Sequence, residues 1–469
     1  MSGPARGGNL LALLLSRATM MGSAVVIQVI LARWLGPESF GLYGFIMSLV
    51  SIFGFAAHLN MQILIARDVA RDESTAPRFM TDGMITSALL SVGAGVMVVG
   101  YAIWTDGRQV VVASSAVAAV SLALLAMSNV PNAVFQGLGR NHLVIPSTFA
   151  SKAVGVAATL GFLIAGMGLL SVFVAQVIAG VVFVGGLILA WRRSGGALPR
   201  WSGIRASVAL ARASVPFGVN SLFAAIYLQA DVLVLAALRG EDEVGMYRAA
   251  AVLIIQLPVL SSMLSTAVFP RIAKVSSDPV RVGDELAFMM RVMLLVGLPV
   301  AVGGMIVAEP LLVALVGEAY RAAAPALLIM LPVVLLSNFK VGISSTLTAV
   351  DRQGWRTAGA ATAAFFNLGA NFLVIPRWGF IGAAWTTLLT EFVQISLLLV
   401  GMRGATRRMG FDPAVLWVVV AAGVMGAVVW GTDGLGVWLR IGLGAVVYGG
   451  VGYLVGAWSR RDLARLRSI

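Results

Sequence analysis

WRRSGGALPRWSGIRASVALARAS, residues 191–214, is the longest polar interval in this chain, and it carries Arg192, Arg193, Arg200, Arg205 and Arg212. On both sides lie apolar stretches of membrane length. A helix rises about 1.5 Å per residue, so about 20 apolar residues cross a hydrocarbon core of about 30 Å. Such stretches fall at roughly 10–32, 40–66, 83–104, 110–137, 142–166 and 169–191 before the interval. After it they fall at roughly 214–237, 247–270, 286–308, 324–350, 356–376, 380–402, 413–430 and 436–457. The interval therefore divides the ladder after its sixth rung. Its latter part has the composition of a basic amphipathic helix lying on an anionic leaflet.

Composition agrees with a chain that lives in the bilayer. Of its 469 residues, 59% are hydrophobic and only 11% charged, where a soluble domain carries about 25% charged residues. The mean hydropathy is +0.95. The net charge of +13 invites a nucleic-acid reading, but its placement argues otherwise. Most of the 33 Lys and Arg gather in every second gap: Arg67/Arg71/Arg78, Arg140, Arg192–Arg212, Arg271/Lys274/Arg281/Arg291, Arg352/Arg356, Arg403/Arg407/Arg408 and Arg460–Arg467. The intervening gaps are short and hold Arg108, Arg239, Arg321, Arg377 and Arg440 among acids such as Glu241, Asp242, Glu243, Glu309 and Glu318. This asymmetry is a topology signal, and it predicts both termini in the cytoplasm. The apolar run from Leu10 is too long for a signal peptide and reads as a retained first span. There is no cysteine and only two histidines, His58 and His142. That excludes disulfides and thiolate chemistry, and it leaves no imidazole cluster for a metal.

The two sides of the interval echo each other. WLGPESFGLYGFI (34–46) resembles LRGEDEVGMYRAA (238–250), aligning Gly41-Leu42-Tyr43 with Gly245-Met246-Tyr247. FQGLGRNH (135–142) aligns with TAVDRQGW (348–355), and GMGLLS (166–171) with RWGFIG (377–382). Three echoes at nearly one spacing predict a duplicated six-helix unit. An even number of spans keeps both copies in one orientation, a transporter plan with the substrate site between halves. The expected organisation is an N-lobe at 1–191, a basic linker at 192–213, a C-lobe at 214–402, and two added helices with a basic tail at 403–469. The fold class expected is an all-α polytopic membrane protein of about fourteen helices, with two six-helix lobes around a central cavity.

The stretches LARWLGPESFGLYGFIMSLVSIF (31–53), SVPFGVNSLFAAIYLQADVLVLAAL (214–238), VGMYRAA (244–250), STAVFPRIAK (265–274) and TLTAVDRQGWRTAGAATAAFFNLGANFLVIPRWGFIGAAWTTLLTEFVQ (346–394) resemble a known family. It is the bacterial polysaccharide-biosynthesis flippases, the oligosaccharide-lipid exporters of the multidrug/oligosaccharidyl-lipid/polysaccharide superfamily. The resemblance covers most of 10–402. It implies movement of an undecaprenyl-pyrophosphate-linked oligosaccharide from the inner to the outer leaflet of the bacterial cytoplasmic membrane. It also implies a cationic central cavity, with Arg17 in the first span as the matching cation; no cofactor is expected.

The spans themselves contain charges. Arg17, Lys152, Asp231, Lys340 and Glu391 lie within apolar runs, and each would cost roughly 2.5–3.5 kcal/mol at the bilayer centre. They are expected to face the interior or a wet cavity between the halves. Arg17, Lys152 and Lys340 are the candidate substrate-binding residues, since guanidinium and ammonium groups bind phosphate. Asp231, Glu391 and Arg248 are candidates for coupling to a cation or proton, or for structural ion pairs. The plainer readings are snorkelling for Arg17, a helix-anchoring role for Arg248, inter-helix hydrogen bonding for Glu391 and packing for His58. Pro131, Pro216, Pro258 and Pro332 predict kinks. Two other functions compete. An ion-coupled multidrug exporter of the same superfamily would favour acidic and aromatic groups. A lipid-linked sugar polymerase or ligase would need carboxylates on a sizeable aqueous loop. The first half has no convincing mid-span acid, and the outward gaps are short. No P-loop is present, so direct ATP hydrolysis is excluded, and an enzyme is not expected. The partners expected are the lipid-linked glycan and membrane lipids, and not nucleic acid.

Overall fold

The computed structural model describes the backbone of residues 5–255, 257–403 and 413–457; the side chains of 5–24, 219–221, 223–224, 255, 259–260 and 413–414 lie outside that description. Among the described residues there are fourteen α-helices and no strand. Nine helical stretches among them are long and apolar enough to cross a membrane. The chain is a multi-pass, all-α membrane protein.

Each span read from the sequence has a helical counterpart. The first span and most of the second are the two arms of α1 (Ala5–His58), separated at Gly36, whose φ of 72° and following Pro37 break the helical path. The rest of the second span is α2 (Met61–Arg71). The eighth span is divided into α8 (Glu241–Ile255) and α9 (Val259–Lys274) around Pro258. The eleventh and twelfth spans are the two arms of α12 (Gln353–Gly401), which reverses between them at Gly379 with φ 54° and ψ −139°. Left-handed backbone of this kind is open to glycine at little cost.

The chain forms two compact units, residues 38–244 and residues 1–37 with 245–469. The first unit holds the latter part of α1, α2, α3 (Ala76–Thr105), α4 (Gln109–Gly137), α5 (Ile145–Ile164), α6 (Leu169–Arg193) and α7 (Ile204–Arg239). Its core packs Met61, Ile65, Met80, Phe135, Leu187 and Trp191. Close approach depends on small residues. A Cβ on Gly83 would lie 2.8 Å from Val130, and one on Gly137 would lie 2.8 Å from the Ala66 carbonyl. The segment after α6 folds back on itself: the Trp191 indole donates to the Ala197 carbonyl at 2.9 Å. The Ser202 amide then donates to buried Asp82 at 2.9 Å.

The second unit holds α10 (Pro279–Val316), α11 (Ala324–Ala349), α13 (Pro413–Trp430) and α14 (Val437–Leu454), together with α8 beyond Val244, α9, α12 and the start of α1. α10 starts at an Asp278 cap that accepts from the Val280 and Arg281 amides. Several backbone groups orphaned by kinks and helix ends find side-chain partners here, as a low-dielectric setting demands. Four residues before the break at Gly36, the Ala32 carbonyl accepts from Tyr320 at 2.9 Å. Pro299 cannot donate to Leu295, and Tyr448 of α14 donates there at 2.8 Å. Arg352 donates to Gly401 at the end of α12 at 2.9 Å. Arg440 donates to Val429 at the end of α13 at 3.1 Å. The two added C-terminal helices pack on α10 through Val307, Ala421, Met425 and Tyr448.

Candidate functional site

Reversal at Gly379 lays the two arms of α12 side by side, so residues far apart along the helix meet. Asn371 donates to Asn367 at 3.1 Å, Asn367 to Thr390 at 3.4 Å, and Thr386 to Asn371. All four are buried. Polar side chains on apolar helices must find such partners, because lipid offers none. The stripe continues on the same arm to Glu391, 5% exposed, and Gln394. Lys340 of α11 reaches across, with Nζ 2.6 Å from Glu391 Oε1. On the far side Tyr247 and Thr387 share a hydrogen bond of 3.0 Å.

Toward the end of α11 the polar surface opens. A pocket of about 350 Å³ is lined by Ser262, Ser265 and Thr266 of α9, by Ser344, Ser345 and Thr348 of α11, and by Arg356 of α12. Arg356 donates to Thr348 Oγ1 at 3.4 Å. Hydroxyls both donate and accept, and guanidinium only donates, in a planar fork. Together they match the acceptor-rich surface of a phosphate or a sugar. None of these hydroxyls was singled out from the sequence. The signal was present, since Ser262/Ser265/Thr266 and Ser344/Ser345/Thr348 fall at helical spacing and share one face each.

The residues singled out from the sequence fall as follows. Lys340 and Glu391 are brought together. Lys152 is exposed on α5, and among the described residues no carboxylate pairs with it. Asp231 is buried in α7, and Arg248 is half-buried in α8. Lys152 and Asp231 belong to the 38–244 unit; Lys340, Glu391 and Arg248 belong to the other. The Arg17 side chain lies outside the described residues. His58 sits at the α1–α2 break, where its Nδ1 accepts from the Asn60 amide at 3.0 Å. Among the described residues no group of three His, Asp or Glu could hold a metal ion.

Charge also concentrates between α3 and α4. Arg108 contacts Asp106 at 2.6 Å and Glu38 at 3.6 Å, and it also pairs with Glu241. The Arg108 hydrogen bond holds the Asp106 carboxyl below its usual range, and the same partners push the guanidinium further up.

These features define a polytopic membrane protein with a buried ion pair and a hydroxyl–guanidinium pocket. A family model described as polysaccharide biosynthesis protein matches residues 7–276, more than half of the chain. The chain belongs to that family. No curated protein sequence matches it. Among solved structures, it is similar to a lipid II flippase MurJ in an inward closed conformation, with TM-score 0.78 at 14% identity, covering 96% of this chain and 100% of that one. A multidrug resistance MATE transporter of the MOP superfamily, inward-facing, matches with TM-score 0.66 at 16% identity over 83% of this chain and 96% of that one. A MOP superfamily transporter from Pyrococcus furiosus, described by the reverse polarity of its binding pocket, matches with TM-score 0.54 at 16% identity over 86% and 93%. At these identities the likeness establishes the fold.

Proposed function

We propose that this chain is a flippase, carrying a polyprenyl-pyrophosphate-linked oligosaccharide across the bacterial cytoplasmic membrane by alternating access for cell-surface polysaccharide synthesis. The observation that carries the reading is the hydroxyl- and arginine-lined pocket of α9, α11 and α12. Its hydroxyls and guanidinium, set beside Phe269 and Val341, are costly against lipid and suited to a sugar-phosphate headgroup. Membership of a polysaccharide biosynthesis family supports the same substrate class.

In this reading both termini are cytoplasmic. The lobes are 1–191 and 214–402, the 192–213 segment links them, and 403–469 is an addition. Arg356 and the serines receive the headgroup at the basic ends of their helices. Lys340 is the deeper cation, and Glu391 holds it in place until phosphate competes for it. Arg17 and Lys152 supply positive charge from the first lobe. A pyrophosphate carries at least two negative charges, so several cations must share it. The polyprenyl tail stays in lipid. Asp231, Glu391 and Arg248 are the groups through which a cation or proton couples to rocking of the lobes. No covalent step is involved, so the protein acts as a transporter and not as an enzyme.

The test is deletion of the gene followed by mass spectrometry of lipid-linked saccharides in inverted and right-side-out vesicles. Accumulation of one species on the cytoplasmic face, reversed by the wild-type chain, is expected. An unchanged distribution overturns the reading.

A further inference from the structure

A second cavity lies in the 38–244 unit. It is a trough of about 600 Å³ between the start of α5 and the end of α6. Its walls are apolar along most of their length, with Pro146 and Ala150 on one side and Val182 and Leu189 on the other. Its floor is recessed because the helices touch there: a Cβ on Gly186 would lie 2.7 Å from Ser147 Oγ. One end is polar and carries His142 and Arg193. From the geometry we infer that this trough is a binding site for an anionic phospholipid of the leaflet at the basic ends of α5 and α6.

Three observations select that occupant. The first is length. From Val182 to Arg193 the trough follows α6 for about 16 Å at the rise of a helix. Half of a hydrocarbon core is about 15 Å. The trough is one leaflet deep, the span of one acyl chain, with its polar end at headgroup level. The second is surroundings. Only 11% of the apolar window on α5 is buried within the protein, and the face carrying Pro146 and Ala150, turned away from Lys152 on the helix, is the one open to hydrocarbon. The third is charge. Arg140, Arg192 and Arg193 are exposed at that end, and among the described residues none has a carboxylate partner. A phosphodiester beside Arg193 supplies the missing counter-charge, and a lipid with net negative charge gains over a zwitterionic one by roughly 1 kcal/mol per basic residue near the surface. On the charge asymmetry of the chain this is the cytoplasmic leaflet; the site itself does not depend on the transported substrate.

The experiment uses the purified full-length protein, titrated with phosphatidylglycerol or phosphatidylcholine and read by native mass spectrometry. Wild type should retain phosphatidylglycerol preferentially. Arg193→Gln should lower that occupancy about five-fold, the equivalent of roughly 1 kcal/mol, and leave phosphatidylcholine unchanged. Ala150→Phe fills the trough at an exposed position without touching the core, and it should lower occupancy by both lipids. Arg200→Gln, outside the trough, should change neither. Equal retention of the two lipids by wild type overturns the inference. So does Ala150→Phe that still holds phosphatidylglycerol, which would reduce the effect to general surface charge. A wild-type dimer that Ala150→Phe dissociates would assign the trough to a second copy of the chain and overturn it as well.

Discussion

Lys340 and Glu391 meet across α11 and α12 with Nζ 2.6 Å from Oε1, the carboxylate buried and the amine nearly so. Each would be costly alone in this setting. Breaking a buried pair from one side typically costs 3–5 kcal/mol, whereas replacing both partners with apolar groups is often neutral or stabilising. Glu391→Ala and Lys340→Ala should therefore each lower stability by about 3 kcal/mol, read as a fall in melting temperature of the detergent-purified protein. Lys340→Met with Glu391→Leu should recover it. Export should remain lost in the double variant, because the proposed phosphate-binding cation is gone. A double variant with normal export would show the pair to be structural alone.

Arg356 is exposed, and its removal should leave the melting temperature nearly unchanged. A hydrogen bond to a charged group contributes about 1.5–3 kcal/mol, so Arg356→Ala should reduce export by about ten- to a hundred-fold. Ser344→Ala combined with Ser345→Ala should give a smaller loss. Initial transport rates in reconstituted vesicles provide the measurement, and wild-type rates in both variants would remove the pocket from the pathway.

Lys152→Gln and Arg17→Ala should impair export without altering membrane insertion, checked by protein abundance in the membrane fraction alongside transport. For Lys152 the stability change should lie within about 0.5 kcal/mol, since the side chain is exposed and lacks an ion pair.

Asp82 accepts the Ser202 amide at 2.9 Å and the Arg78 guanidinium at 3.3 Å, fastening the segment after α6 to α3. Asp82→Ala should leave that amide without its acceptor, at a cost of about 1–3 kcal/mol. Limited proteolysis should then cut within 194–203 several-fold faster. An unchanged cleavage rate would mean that the Trp191–Ala197 hydrogen bond alone holds the segment.

The Arg108 cluster makes a pH prediction. Asp106 is held below its ordinary value of 3.8 by Arg108. A carboxyl depressed in the folded state stabilises above its unfolded value, and that contribution disappears as pH falls through the folded one. The melting-temperature difference between wild type and Arg108→Ala should thus be constant from about pH 5 to 8 and shrink below about pH 4. A difference that instead grows in acid would contradict the assignment of charge in this cluster.

Helix number and type were legible because they depend on local sums. The run of apolar residues from Leu169 to Ala190 reads as a span wherever it is placed, and so does Val437–Leu454. The kinks were only partly legible. Pro258 interrupts the eighth span as expected, and the reversal at Gly379 falls in the gap between two spans that read as separate helices, but Pro131, Pro216 and Pro332 lie inside unbroken helices. Tyr448 offered no sign that it would satisfy the Leu295 carbonyl, because that need arises from Pro299 on another helix. Among the charges, cost in hydrocarbon correctly singled out Lys340 and Glu391 as groups that must be sheltered. It did not pair them, and it passed over Arg356, which sits at a span boundary where arginine is ordinary.

By itself, then, the amino-acid order determined a many-helix membrane protein with basic excess in alternate gaps, and it marked the family. Hydrophobic length and charge bias act residue by residue, without reference to neighbours in space. Only tertiary structure decided that Lys340 would be neutralised by a carboxylate 51 residues away, and that serines of α9 and α11 would share one pocket with Arg356. Those relations depend on which helix faces meet, and a face has no partner until the chain has folded.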